Sequence, residues 1–291
     1  MVITAKMVKD LRDSTGAGMM DAKTALVESG GDFEAASDWL RQKGLAKAQK
    51  KSGRIAAEGL IGVSVSGKSA SILEVNCETD FVAKNNEFQG MVQSLLEIPK
   101  NVSNLNELLL AEVQGKTVEN LLIEKVASIG EKINIRRYSR LDSEFIYSYV
   151  HNSVCDKLGK IGVLIALSSA DETLGKNLAM HVAACNPLAL RENDLPADVL
   201  EREEKVYSEQ AKESGKSSEI IENMVKGKLK KFVSEITLVN QNFVMDSDRK
   251  VSEVLKLNRN EILGYIRYEV GEGIEKPVDD FVEEVKKTAM N

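Results

Sequence analysis

The chain has 291 residues, 39 basic against 45 acidic, for a net charge of −6, and 43% of its residues are apolar. That length allows two or three domains around a sizeable core, and the acidic balance excludes a generally cationic nucleic-acid binder while leaving room for a local basic patch. Four prolines and 5% aromatic residues argue against disorder and against an all-β sandwich, so a helix-rich soluble protein is expected.

The chain carries three cysteines. This odd number makes no disulfide framework, and the thiols read as reduced. The first residues, Met1 to Met7, show no basic segment followed by an apolar run, and the best apolar run is only Ile161–Leu167. No signal peptide or membrane span is expected, and the location read from these features is cytoplasmic.

Residues 1–54 are expected to form a small bundle of three helices. Val8 and Leu11 begin one apolar stripe, and Ala22, Ala25 and Leu26 form a second after the Gly16-Ala-Gly18 break. Gly30-Gly31 ends that helix, and Asp32 is suited to cap a third carrying Ala35, Ala36, Trp39 and Leu40, with Trp39 in the bundle core. This segment holds ten basic and seven acidic residues, +3, which leaves −9 for the remainder. Its surplus sits at the end, where Arg41, Lys43, Lys47, Lys50, Lys51 and Arg54 have no acid among them. That run is open to two readings: contact with RNA or an acidic partner, or a solvated lysine-rich linker without aromatics for base stacking.

From residue 55 the period changes. Gly62-Val-Ser-Val-Ser-Gly67 alternates, and Ala70-Ser-Ile-Leu-Glu-Val75 follows a short Gly67-Lys68 turn, which predicts a β-hairpin. A helix with Phe88, Val92 and Leu95 is expected from near Asn85, and Ile133–Tyr138 supplies a third strand. The order recurs. A shift of 92 residues places Gly67-Lys68 on Gly159-Lys160, Ile72-Leu73 on Leu164-Ile165, and Lys84-Asn85 on Lys176-Asn177. For the third strand the shift becomes 131, placing Ile135-Arg136 on Ile266-Arg267 and marking a 39-residue insertion near 197–236 in the second copy. Within it Ile220, Ile221, Met224, Val225, Leu229, Phe232 and Val233 keep helical spacing, opposite an arm with Val199, Leu200, Val206 and Tyr207. A helical hairpin turning near Gly215 is expected, with an apolar stripe that needs a partner or a mate. After Pro277 a final helix presents Val278, Phe281, Val282 and Val285, for docking on its own core or on another protein.

Several strings suggest chemistry and do not sustain it. Gly62–Ser69 fits the phosphate-loop pattern, but its interior alternates as a strand does and Ser69 leads into another strand, not a helix. His151 with Cys155 and His181 with Cys185 are zinc-ligand types, yet the second pair lies on the apolar face of Leu178–Cys185 and the short ligand loops of a structural zinc site are missing. No catalytic constellation, cofactor or resident metal is expected. The remaining feature is Asn76–Asn85, a strand-to-helix turn at which Thr79 or Asp80 caps a helix. Phe81 is then buried, or it stands out as an aromatic wedge beside an acid.

Thr79-Asp-Phe-Val-Ala-Lys-Asn85, Thr15-Gly-Ala-Gly-Met-Met-Asp-Ala-Lys23, Val270-Gly-Glu-Gly-Ile-Glu-Lys276, Phe243-Val-Met245 and Ile133-Asn-Ile-Arg-Arg137 together resemble, in order and over essentially the full length, the bacterial elongation factor Ts family, guanine nucleotide exchange factors for elongation factor Tu. Ala22 stands where many members carry Cys, and the loop from His151 to Lys160 is longer than in some. The resemblance implies an α+β fold: an N-terminal three-helix, UBA-like domain (1–54), a core of two similar α+β subdomains with antiparallel sheets (55–140, and 141–196 with 237–275), an inserted helical hairpin (197–236) and a C-terminal helical module (276–291). It implies binding to elongation factor Tu, GDP-bound and nucleotide-free, and promotion of GDP release without covalent chemistry. Thr79, Asp80, Phe81 and Val82 would displace the Mg²⁺ of Tu; His151 would press on its phosphate-loop side; Met19, Met20, Phe243, Val244, Met245 and Phe281 would add contacts. A homodimer or Tu2Ts2 assembly through the hairpin is also implied, with no membrane and no direct nucleic-acid contact.

Overall fold

The computed structural model describes residues 2–98, 102–113, 115–212 and 217–275. Helices α1 (Ala5–Thr15), α2 (Met19–Glu28) and α3 (Phe33–Lys51) form the expected bundle. The starts of α1 and α3 have a local cause. The Thr4 hydroxyl accepts the Met7 N–H at 3.3 Å, and the Asp32 carboxylate accepts the Ala35 N–H at 2.9 Å, supplying acceptors to first-turn amides that have no partner within the helix. Val8, Leu11, Ala22, Ala25, Leu26 and Ala36 make the core. Ala35 faces solvent, and Trp39 is only partly buried at the edge of the core, with the Lys43 ammonium 4.7 Å from its ring centre. Both differ from the expected stripe.

Strands β1 (Glu58–Ser66) and β2 (Ser69–Cys77) form the predicted hairpin. Gly67 occupies its turn at φ +62°, a conformation that suits a residue without a Cβ. No helix follows Lys68-Ser69, so the phosphate-loop pattern has no structural counterpart. The one-turn α4 (Asp80–Ala83) and α5 (Asn86–Leu95) follow, with Phe88, Val92 and Leu95 buried as expected. Then come α6 (Leu105–Leu110), the short β3 (Glu112–Val113) and β4 (Lys116–Thr117), α7 (Val118–Ile129) and β5 (Asn134–Asp142). Helix α3 packs on α7, where a Cβ on Gly44 would lie 3.4 Å from Ile123.

The second half runs β6 (Phe145–His151), β7 (Leu158–Gly159), β8 (Ile161–Leu167), α8 (Glu172–Cys185), α9 (Ala197–Lys212), α10 (Ser218–Ile236), β9 (Asn242–Phe243), β10 (Asp246–Lys250), α11 (Val251–Leu257) and β11 (Ile262–Glu269). One sheet has the order β5-β2-β1-β7 and another β11-β8-β6. Each therefore holds the third, second and first strands of its half in the same sequence, which is the repeat in three dimensions. Thr79 caps α4 and Asp171, 92 residues later, caps α8.

The repeat is inexact in two places. Gly67-Lys68 is a two-residue turn, whereas Gly159-Lys160 lies in a longer connection between β6 and β8, with Gly159 itself in β7. Lys176-Asn177 falls inside α8, which is continuous where the first copy breaks into α4 and α5. Helices α9 and α10 pack together as the expected hairpin, with Tyr207 edge-on to Phe232 at 6.5 Å. Gly215, Pro277 and the final helix with Phe281 lie outside the described residues.

The described residues divide into two compact units, one within 2–62, 73–138 and 269–275, the other within 63–72 and 139–268. In the first, the fully buried Glu74 carboxylate accepts from Arg137 at 2.6 Å, Arg136 at 3.3 Å, Asn76 at 2.9 Å and the Gly271 N–H at 2.8 Å. Two guanidiniums and two neutral donors compensate a charge that would be costly alone. Gly271 sits at φ +72°, and a Cβ there would come 2.3 Å from the Ala57 carbonyl oxygen, so the close approach requires glycine. In the second unit, β6 and β8 pair antiparallel from Phe145↔Leu167 to His151↔Ile161, and α8 covers Val163, Ile165 and Leu167. No described helix is long and apolar enough to cross a membrane.

Candidate functional site

In the first unit the Thr79–Val82 segment is held from both sides. The Thr79 hydroxyl accepts the Val82 N–H at 3.4 Å, capping α4, and donates to Glu131 at 2.7 Å. The other Glu131 oxygen accepts the N–H groups of Glu78 and Thr79, each at 3.0 Å. Reciprocally, the Glu78 carboxylate accepts the Lys132 N–H at 2.6 Å and the Arg54 guanidinium at 3.1 Å. Ala83 is buried beneath the turn. Asp80 accepts from Lys84 one helical turn on at 2.7 Å, and this hydrogen bond raises the Lys84 ammonium above its ordinary value.

Of the two readings open for this segment, the cap belongs to Thr79, as the burial reading had it, but Phe81 is not buried. It is 80% exposed, with Asp80 beside it and Val82 partly covered. A large aromatic ring left in water on a turn clamped by charge-assisted hydrogen bonds is suited to enter an apolar cleft. In the same unit, Met19 and Met20 stand exposed on the first turn of α2.

The basic run at the end of the bundle is not free of acids, contrary to its sequence. Lys43 and Lys47 grip Asp21 at 2.9 and 2.8 Å, Arg41 pairs with Asp38 at 3.2 Å, Arg54 with Glu78, and Lys51 donates to the Gly130 carbonyl. These hydrogen bonds, Lys47 first, hold the Asp21 carboxyl below its usual value. Arg41 and Asp38 are an i,i+3 pair within α3, whereas the partners of Lys43, Lys47, Lys51 and Arg54 come from other elements and no local spacing announces them. The three carboxylates of Asp21, Asp38 and Glu78 offset part of the surplus of six bases.

In the second unit, His151 ends β6 in an exposed position, its Nδ1 3.1 Å from the Tyr149 hydroxyl. The loop that follows is folded on itself. Val154 N–H donates to the Leu158 carbonyl at 3.0 Å and the Ser153 hydroxyl to that of Cys155 at 2.7 Å. Phe243 is buried in the core, and Val244 and Met245, about half exposed, form the tip between β9 and β10. Phe243 is therefore the foot of this turn, and its two neighbours are the surface.

Three residues that support these turns escaped the sequence reading as such. Glu131 is 52 residues from Thr79. His181, taken for core packing, is indeed fully buried; its Nδ1 accepts the Val244 N–H at 3.2 Å and its Nε2 donates to Gln241 Oε1 at 2.9 Å. Burial pushes its pKa down, with the Gln241 bond opposing in part. Cys185 lies 3.7 Å from the same Nδ1, and burial raises its thiol. Among the described residues, no group of three or more His, Cys, Asp and Glu is placed to hold a metal ion. The Glu131 and His181 contacts leave no periodic trace in sequence.

Residues 78–272, which include the clamped turn, match the family model described as Elongation factor TS. The chain is 56% identical to Elongation factor Ts of Dinoroseobacter shibae over 99% of both chains. It is 55% identical to that of Ruegeria sp. strain TM1040 over the whole of both, and 53% identical to that of Jannaschia sp. strain CCS1 over 99% of both. Similarity of this extent, from one end to the other, is decisive: the chain belongs to the elongation factor Ts family, and its role lies in the elongation stage of protein biosynthesis.

Proposed function

We propose that the chain binds elongation factor Tu, both GDP-bound and nucleotide-free, and promotes GDP release and exchange for GTP by disturbing the Mg²⁺ and phosphate site of Tu. The observation that carries this reading is Phe81, 80% exposed on a capped and clamped turn, in a chain of this family. Burying such a ring is worth about 1.5–3 kcal/mol, which a partner's cleft can recover. Mg²⁺ is a sensitive lever because it demands near-ideal octahedral geometry while bridging protein and phosphates.

The coupling is negative and reciprocal. A factor that favours a Tu conformation with a disturbed nucleotide site weakens nucleotide binding, and each nucleotide weakens the factor's hold as much as the factor weakens its own, so incoming GTP expels the factor. Phe81 and Val82 supply the apolar wedge, and Asp80 orients the turn. His151 presses on the phosphate-loop side, and Met19, Met20, Val244, Met245 and Phe281 add affinity. No covalent bond changes, so the chain acts as an exchange factor and not an enzyme, with no cofactor of its own. The hairpin of α9 and α10 supports a homodimer or a Tu2Ts2 assembly. The setting is the cytoplasm.

The test is stopped-flow release of fluorescent GDP from elongation factor Tu with and without the chain. Accelerated release that saturates with chain concentration is expected; release at the intrinsic rate at every concentration sinks the proposal.

A further inference from the structure

We infer that Glu131 is a positioning residue for the exchange turn: it sets the pose from which Phe81 is presented. The inference rests on the exchange reading above and extends it to a residue that touches no partner in it. Three donors converge on this one side chain. Its Oε2 accepts the backbone N–H groups of Glu78 and Thr79 at 3.0 Å, and its Oε1 accepts the Thr79 hydroxyl at 2.7 Å. An ionised carboxylate is the side chain suited to this, since it accepts through both oxygens and donates nothing.

The hydroxyl contact has a second consequence. A threonine hydroxyl has one proton and can still accept. Committing that proton to Glu131 points the free lone pairs at the Val82 N–H, the capping bond of α4. One carboxylate thus fixes two successive amides and the orientation of the cap. Glu78 closes the clasp from the opposite side by accepting the Lys132 N–H at 2.6 Å. Because α4 spans only Asp80–Ala83, it has almost no hydrogen-bond ladder of its own, and a helix that short is not stable on local terms. Its geometry is imposed from residues 131 and 132. A wedge must arrive preorganised, because ordering it during binding would consume the interaction that drives exchange.

The experiment compares wild type, Glu131→Ala, Glu131→Gln and Phe81→Ala in stopped-flow GDP release. The release rate at saturating factor is separated from the half-saturating concentration, and amide hydrogen exchange is followed at residues 79–82 in each variant. Glu131→Ala is expected to lower the saturated rate by about tenfold, the rate equivalent of one lost charge-assisted hydrogen bond. Half-saturation should move by less than about threefold, since the remaining contacts are unchanged. Glu131→Gln keeps the shape and one acceptor and should fall between. Exchange at 79–82 should accelerate in the same order, with the rest of the first unit protected as before.

Wild-type saturated rates and wild-type protection in both Glu131 variants would overturn the inference. Protection lost throughout the first unit in Glu131→Gln would also overturn it, by making Glu131 a global stabiliser. Failure of wild type itself to accelerate release would remove the exchange reading instead, and the protection pattern at residues 79–82 would still report on the clasp.

Discussion

The buried imidazole of His181 holds the backbone of Val244: its Nδ1 accepts that amide at 3.2 Å, while its Nε2–H is committed to Gln241. The arrangement requires the neutral ring with its proton on Nε2. Protonation would place a hydrogen between two donors and a charge in the core of the second unit.

A pH dependence with a definite sign follows. The folded pKa of His181 lies below its ordinary value of 6.5, because burial disfavours the charged form. Its contribution to stability is complete above pH 6.5 and is lost as pH falls through the folded pKa, because the unfolded chain takes up the proton first. At the other end, burial pushes the Tyr265 phenol, which donates to the Pro187 carbonyl at 2.7 Å, up to about 12. Its contribution is complete below the ordinary value of 10.0 and is lost as pH rises toward 12. Neither group adds a slope to the thermal stability of wild type between these limits. In His181→Asn the acid-side decline should shrink, and an unchanged slope below pH 6.5 would refute the assignment.

Phe81→Ala should leave stability within about 0.5 kcal/mol, as expected for an exposed side chain. It should slow GDP release at saturating factor by about 30-fold, if roughly 2 kcal/mol of apolar contact is made only in the exchange-active complex. Chemical denaturation and stopped-flow release measure the two effects separately.

Glu74 behaves in the opposite manner. Glu74→Ala leaves Arg136 and Arg137 without their central carboxylate and should destabilise the chain by about 3–5 kcal/mol, read by urea unfolding. Replacing the whole charged cluster by apolar residues should cost less than removing Glu74 alone, because the penalty lies in the uncompensated partners.

The Phe243–Met245 turn separates packing from contact. Phe243→Ala removes a buried ring and should cost about 3–5 kcal/mol of stability. Val244→Ser and Met245→Ser should leave the melting temperature nearly unchanged and weaken binding to elongation factor Tu by about 1 kcal/mol each, measured by titration calorimetry. Equal effects of all three on melting would show that the tip is core and not surface.

Much of the fold was legible because its causes are local. Asp32 and Asn85 cap the helices that follow them through amides two or three residues away, and the Gly67-Lys68 turn sits between two alternating runs. The two halves share a strand order because they share a pattern of elements, and the insertion showed itself as a change in the repeat shift. The motif at 79–85 likewise marked the segment on which the exchange proposal rests.

What the sequence by itself determined was the three-helix bundle, the β1–β2 hairpin, the repeated order of elements with its inserted helical hairpin, most of the core stripes, and which short segment is unlike the rest. Only the tertiary structure decided that Phe81 stays in water, that Glu131 holds Thr79 from 52 residues away, that Asp21 pairs with both Lys43 and Lys47, and that Glu74 meets Gly271 across 197 positions. The physical reason is one of range. Caps, turns and periodicity act over a few residues and leave a pattern, whereas exposure and ion pairing depend on which distant surfaces the fold brings together, and no local spacing encodes them.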